Sequence, residues 1–283
     1  MASKSLKGEW IPFPHKIATL EGAALRKAWP QLHQGDREPW PDLKRVAALG
    51  DAAALPRKLA DEELARRLQE AWRAFHSGDF QRAWTEGEAL GALGAIVAAK
   101  AAGIYTRYLE KREARAVALL ERAVVLAAGA AQTAPKLANA HYMHAFVLGR
   151  LSQRTSVLQA LAAGHATRVR QSLEKALALE PRHADAHIAL GLYHAEIVAK
   201  VGDFVARLTY GASGEAAVRH FKEALKLAPE SAIAHLEYGN GLVAAFGERR
   251  RAEALKLYER AAGFRPLDAM ERLDVEAARA ALG

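Results

Sequence analysis

Small and bulky apolar residues recur at helical spacing along the second half of this chain. They form three sets of three residues, and each set comes shortly before a proline. The sets are Val169, Leu173 and Ala176 before Pro181; Ala217, Phe221 and Ala224 before Pro229; and Ala254, Tyr258 and Ala261 before Pro266. Offsets of four and seven residues bring the side chains of each set onto one face of a helix. The pattern predicts an all-α protein made of repeated amphipathic helices.

A second pattern follows the prolines. It consists of Ala140-His141 after Pro135, Ala186-His187 after Pro181 and Ala234-His235 after Pro229. Leu190-Gly191 and Tyr238-Gly239 come next at equal distance in the last two copies. Small residues let antiparallel helices approach closely, and a proline cannot continue the helix before it. Because a single hairpin leaves its apolar stripe exposed, the hairpins are expected to stack on one another.

This order of a large residue, Leu-Gly, Ala, an aromatic residue, Ala and Pro resembles the tetratricopeptide repeat. The resemblance implies a right-handed α-solenoid, and the repeats place about five hairpins at 62–93, 95–130, 137–180, 184–228 and 232–264. A capping helix is expected over 268–282, with Asp268 as its N-cap.

The third and fourth hairpins are predicted to be elongated. Successive proline intervals are 181−135 = 46, 229−181 = 48 and 266−229 = 37 residues, against about 34 for a plain repeat. The surplus falls at 150–166 and 201–214, and each insert would form a short helix ending at a glycine. An insert ending in Leu208-Thr209-Tyr210-Gly211 is similar to the regulator-of-microtubule-dynamics group and its uncharacterised bacterial relatives. That resemblance implies a scaffold.

Residues 1–57 form an N-terminal extension that lacks the regular repeat of the predicted solenoid, residues 58–283. Ala28-Trp29 mirrors Ala71-Trp72 and indicates a degenerate half-repeat in this N-terminal extension. Residues 10–14 contain two prolines and are expected to be extended.

Composition narrows the class of protein. Apolar residues make up 51% and charged residues 25%, which is typical of a folded chain. The absence of cysteine excludes disulfides, thiolate metal sites and cysteine nucleophiles. A net charge of +8 suits acidic partners but is too mild to indicate nucleic-acid binding. Heavy use of Ala and Arg indicates a bacterial source.

Neither a membrane protein nor an enzyme is expected. The longest uncharged apolar run, residues 89–99, is 11 residues long and cannot cross a bilayer. No signal-peptide pattern opens the chain, so we expect a cytoplasmic location. Phosphate-binding and dinucleotide-binding glycine patterns are absent, and no acid–base pair or nucleophile stands out. The sequence therefore predicts a non-catalytic protein without a cofactor.

The leading hypothesis is a protein–protein interaction scaffold that binds a peptide or helix. By the tetratricopeptide resemblance, the first helices of successive hairpins line a concave groove. The predicted groove residues are Lys100, Ile104, Asn139, Tyr142, Phe146, Ile188, Leu192, Leu236 and Asn240. This wall is largely apolar, so it would bind an apolar segment of a partner or be covered by residues 10–14 of the chain itself.

Two alternatives stay open. His187, His194, Glu196 and Tyr210 would form a small-ligand or metal site, although the repeated histidines are better explained as spacers between helices, and no metal is expected. Distributed arginines, including residues 249–251, would allow weak nucleic-acid association.

Overall fold

The computed structural model describes residues 8–50, 59–155 and 163–283. Over these ranges the regular structure is helical and contains no strand, which confirms the all-α prediction. The helices are α1 (Gly22–Leu32), α2 (Leu43–Gly50), α3 (Asp61–Ser77), α4 (Phe80–Ala89), α5 (Ala95–Tyr108), α6 (Glu113–Thr133), α7 (Ala138–Arg154), α8 (His165–Leu179), α9 (Ala184–Val201), α10 (Asp203–Tyr210), α11 (Gly214–Leu227), α12 (Ala232–Phe246), α13 (Arg251–Ala262) and α14 (Ala269–Ala280). A 3₁₀ turn, Gly247–Arg250, precedes α13.

The chain divides into two compact units. Unit 1 comprises the described residues of Met1–Gln31, Glu38–His165 and Asp268–Met270. Unit 2 comprises those of Leu32–Arg37, Ala166–Leu267 and Glu271–Gly283. The domain boundary predicted at 57/58 falls within residues 51–58, which lie outside the described residues, and stays a prediction.

Unit 1 is built from sequential helix pairs. Helix α3 packs on α4, α5 packs on α6, and the first helix α5 also packs on the first helices α3 and α7. Gly103 allows α5 and α7 to approach each other closely, because a Cβ at this position would overlap the Phe146 ring of α7. The α3–α4 turn is tight, since Gly78 adopts φ +89° and the Asp79 side chain caps α4 by accepting from the Arg82 amide.

Unit 2 repeats the same packing. Helix α9 pairs with α11, α12 pairs with α13, and α9 packs on α12. Phe221 lies against Gly191 and Gly241, while Tyr258 lies against Gly239. At these three glycines a large ring thus fills the space that the missing side chain leaves, as the small–large pattern predicted.

The elongation of the fourth hairpin is helix α10. It ends at Gly211, which adopts the left-handed conformation with φ +60° and so allows the chain to turn directly into α11. The equivalent short helix predicted in the third hairpin falls largely on residues 156–162, which lie outside the described residues.

Candidate interaction surfaces

In unit 1, the predicted groove residues are mostly buried. Lys100, Ile104, Asn139 and Tyr142 are each less than 9% exposed, and only Phe146 is partly accessible. The Lys100 ammonium lies over the rings of two aromatic residues of α3, at 5.9 and 5.7 Å from their centroids. Little of this wall is therefore open to solvent.

Glu38 lies against this wall. Its side chain is 2% exposed and accepts hydrogen bonds from Asn139 Nδ2 at 2.6 Å and from Arg45 Nε at 3.0 Å. The Glu38 carbonyl accepts from Trp29 Nε1 at 2.7 Å, and Trp29 packs edge-on against Trp72 of α3. The N-terminal extension thus places a carboxylate on a predicted groove residue.

Residues 10–14 contact a different part of unit 1. The Trp10 ring stacks on Tyr105 at 4.1 Å, and the Ile11 amide donates to the Tyr105 hydroxyl at 3.0 Å. Phe13 fills the space beside Gly78. This segment therefore packs at the α3–α4 turn and on α5, and Glu38 is the residue of the extension that engages Asn139.

In unit 2, the predicted groove residues also pack in or against the interior. Ile188 and Leu236 belong to the apolar core, and Leu192 is a partly buried residue packed against it. The Asn240 amide donates to Glu237 at 2.9 Å and accepts from the Tyr258 hydroxyl at 2.9 Å. The side-chain amide of Asn240 is thus engaged within the chain at both its nitrogen and its oxygen.

The repeated histidines bond to the turn before their own helix. His141 Nε2 lies 2.9 Å from the carbonyl oxygen of Pro135, and His187 Nε2 lies 3.3 Å from that of Pro181. His235 Nδ1 lies 2.9 Å from the carbonyl oxygen of Ser231. A carbonyl only accepts, so each of these nitrogens carries the proton.

His187 also meets His220 of α11, a residue that sequence reasoning missed. Their Nδ1 atoms are 2.9 Å apart and their ring centroids 5.2 Å apart. The centroid separation is about the nitrogen separation plus two ring radii, so the nitrogens point at each other along a line. Because His187 Nε2 carries its proton, its Nδ1 accepts from His220 Nδ1–H, and the geometry is that of an N–H···N hydrogen bond between neutral rings.

His194 completes this cluster. Its ring stacks on His220 at 5.6 Å, and its Nδ1 is buried without a hydrogen-bond partner. Burial, with added repulsion from the cations of Arg219 and Arg170, lowers the pKa of His194 to about 4. Burial also lowers the pKa of His220 to about 4 and lowers that of His187. The cluster is therefore uncharged at neutral pH.

The other two members of the predicted ligand cluster lie elsewhere. Glu196 pairs with Lys200 at 3.8 Å, one turn further along α9. Tyr210 contributes its backbone carbonyl, which accepts from the Tyr193 hydroxyl and from Arg170. Within the described ranges, no group of three or more His, Asp or Glu residues is arranged to hold a metal ion.

The arginines considered for phosphate binding have partners in the chain. Arg250 pairs with Glu253, and Arg251 pairs with Glu248 at 2.9 Å. Arg249 donates to a backbone carbonyl of α12. The charge of this run is thus partly compensated locally, which weakens the attraction that phosphates would feel.

Helix α10 exposes its apolar side chains. Phe204 and Leu208 are both 78% exposed, and Val205 is 43% exposed. We call these three residues the α10 ridge. The sequence contained a signal for it, because Phe204 and Leu208 are one helical turn apart in a predicted helix. Glu38 and His220 left no comparable local signal.

None of the described helices combines the length and apolarity needed to span a bilayer. A search of the curated proteins found no match to the chain. A family model described as regulator of microtubule dynamics protein 1-3 matches residues 95–281, about two thirds of the chain. The matched residues run from α5 to the end of α14 and so include the wall residues, the histidine cluster and the α10 ridge. The chain therefore belongs to the regulator of microtubule dynamics protein 1-3 family.

Proposed function

We propose that this protein is a non-catalytic interaction scaffold, built as a right-handed solenoid of tetratricopeptide-type hairpins, that binds a peptide or helix of a partner protein. Membership of a regulator family supports an interaction role. The pairwise packing of first helices within each unit supports the solenoid.

One observation carries the proposal. The first-helix wall of unit 1 already accommodates a non-helical stretch of polypeptide, in which the Glu38 carboxylate accepts a hydrogen bond from Asn139 of the wall. A wall that binds the chain's own segment through an acidic side chain has the chemistry for peptide recognition. Phe146 in unit 1 and Leu192 in unit 2 remain as partly exposed apolar positions for a partner.

The test is affinity capture with the full chain from its source cell, followed by titration of the purified partner. We expect a stable complex, and we expect Phe146→Ala and Leu192→Ala each to weaken it about tenfold, since each removes a contact worth 1–2 kcal/mol. Val125→Ala on α6, which removes an exposed apolar side chain outside the wall, is the control.

Two results would count against the proposal in different ways. Full-strength binding by both wall variants would remove the groove assignment and leave the scaffold role. If the wild-type chain captured no protein partner in an amount comparable to its own, the scaffold role itself would be contradicted.

A further inference from the structure

The α10 ridge is the most exposed apolar feature among the described residues of unit 2. Phe204 and Leu208 lie four residues apart and therefore project from one face of the helix. The opposite face holds the helix to unit 2 through Ala206, whose side chain is fully buried. The helix thus has one anchored face and one apolar face that no described residue covers.

This exposure is not a consequence of a loosely held helix. Arg207 bridges Asp203 at 2.8 Å and Glu215 of α11 at 2.7 Å. At the C-terminal end, the Tyr210 carbonyl accepts from Arg170 Nη1 of α8 at 2.8 Å and from the Tyr193 hydroxyl of α9 at 3.2 Å. The second half of the helix is thus held to α8, α9 and α11, and an ordered helix loses little conformational entropy when a partner binds it.

Charges beside the ridge oppose a membrane or nucleic-acid partner. The cation of Arg207 is offset by the two carboxylates of Asp203 and Glu215, and Lys200 pairs with Glu196. Anionic lipids and phosphates are bound by clusters of unpaired Lys and Arg. The local balance of charge leaves apolar contact as the main attraction.

The size of the ridge opposes a simple dimer of this chain. The side chains of Phe204, Val205 and Leu208 together expose on the order of 350 Å². A stable interface buries about 800 Å² on each partner. Two convex ridges in contact would bury less than this. A concave apolar groove would instead enclose the ridge and contact the polar flanks of α10 as well.

We propose that the α10 ridge, with Phe204 and Leu208 as anchors, inserts into an apolar groove on a partner protein. This inference rests on the interaction function proposed above and names the surface and the partner chemistry. It differs from the groove assignment, because here the chain supplies the helix and the partner supplies the groove.

The first experiment places a photo-crosslinker on the ridge of the full chain in its source cell, as Phe204→p-benzoylphenylalanine. The matched control is Val125→p-benzoylphenylalanine, because Val125 is 74% exposed but is the single exposed large apolar side chain of α6. We expect a defined crosslinked protein from position 204 only. The crosslinked residues of that protein should be apolar and line a groove.

The second experiment measures the affinity of that purified protein for the full chain. The double variant Phe204→Ser, Leu208→Ser should weaken binding at least about thirtyfold, since buried anchors of this kind dominate interface affinity. Val125→Ser should bind like the wild type. Circular dichroism and thermal melting check that both variants keep the fold, which we expect because the replaced side chains are largely solvated.

The outcomes separate the two proposals. If a partner binds the wild type and the ridge variant equally, the scaffold role stands and the ridge assignment is wrong. Crosslinking at position 204 only to a second copy of this chain, or co-sedimentation with vesicles of anionic phospholipid that the ridge variant loses, would also overturn the groove-bearing partner. Equal crosslinking from positions 204 and 125 would show that exposure alone explains the contact.

Discussion

The segment around Glu38 and helix α10 depart from the usual polarity of a folded chain in opposite directions. In the Glu38 segment, residues 38–46 of unit 1, two charged side chains are turned inward, with Glu38 2% and Arg45 4% exposed. In α10 of unit 2, two large apolar side chains are turned outward.

The comparison separates a structural feature from a functional one. A buried ion pair costs desolvation and is retained only where hydrogen bonds satisfy both charges, as Asn139 and Arg45 do for Glu38. An exposed apolar ridge contributes nothing to folding and is a solubility risk unless something binds it. We therefore expect changes in the Glu38 segment to alter stability and changes in α10 to alter binding.

The largest effect is expected from Glu38→Ala. The substitution leaves Arg45 buried without its carboxylate, which should lower the free energy of unfolding by about 4 kcal/mol. Urea unfolding measures this. The control is Glu63→Ala, which breaks the exposed pair of Glu63 with Arg66 and should change stability very little. Equal losses in the two variants would show that burial of the Glu38 pair is irrelevant.

Asn139→Ala should have the next largest effect. It removes the donor at 2.6 Å from the Glu38 carboxylate, and a buried charged acceptor that loses a partner costs about 2 kcal/mol. Asn240→Ala, on the predicted wall of unit 2, should cost less because Asn240 is only partly buried. A larger loss at position 240, measured by the same urea titration, would reverse the contrast between the two units.

A pH titration sharpens the comparison, because the histidine cluster is buried in neutral form. Burial lowers the pKa of His194 and of His220 to about 4, from the ordinary value near 6.5. The unfolded chain therefore binds more protons than the folded chain between these values. This contribution to stability is fully present above about pH 6.5, and about 3 kcal/mol for each of the two histidines should be lost as the pH drops toward 4.

His194→Phe is the variant that checks this pH dependence. It removes a buried nitrogen without a partner, keeps a ring to stack on His220, and should reduce the acid loss seen in urea unfolding at successive pH values, with the contribution of His220 remaining. The flanking charges of Arg170, Arg219 and Glu223 are unchanged in the variant. An unaltered slope between pH 6.5 and 4 would mean that the cluster does not titrate as described.

The smallest effect on stability is expected from the ridge. Phe204→Ser with Leu208→Ser should change the free energy of unfolding by less than about 0.5 kcal/mol, because neither side chain is buried. Phe221→Ala is the contrasting variant, since Phe221 is 1% exposed and its loss should cost about 4 kcal/mol. A loss of more than 2 kcal/mol in the ridge variant would place α10 among the structural elements.

The repeat itself could be predicted because its information is local. Phe221 fills the space beside Gly191 and Gly241, and Tyr258 fills that beside Gly239, as a helical small–large pattern requires. Gly211 was readable as the end of a short helix for the same reason. Each of these features depends on spacing within one or two helices.

Contacts between distant segments could not be predicted in this way. Asn139 was expected to face a groove, but its partner Glu38 is 101 residues away and nothing near either residue marks the pairing. His220 escaped notice because it lies outside the repeated Ala-His pattern and meets His187 only through the packing of α9 on α11. For α10, the sequence gives the apolar pair but not which face remains uncovered.

Hydrogen–deuterium exchange of the full chain, free and saturated with its partner, compares the two regions in one measurement. Slower exchange on binding should appear in α10, residues 203–210, while residues 38–46 exchange at the same rate in both states. Slower exchange confined to residues 38–46, with α10 unchanged, would contradict the division of roles between them.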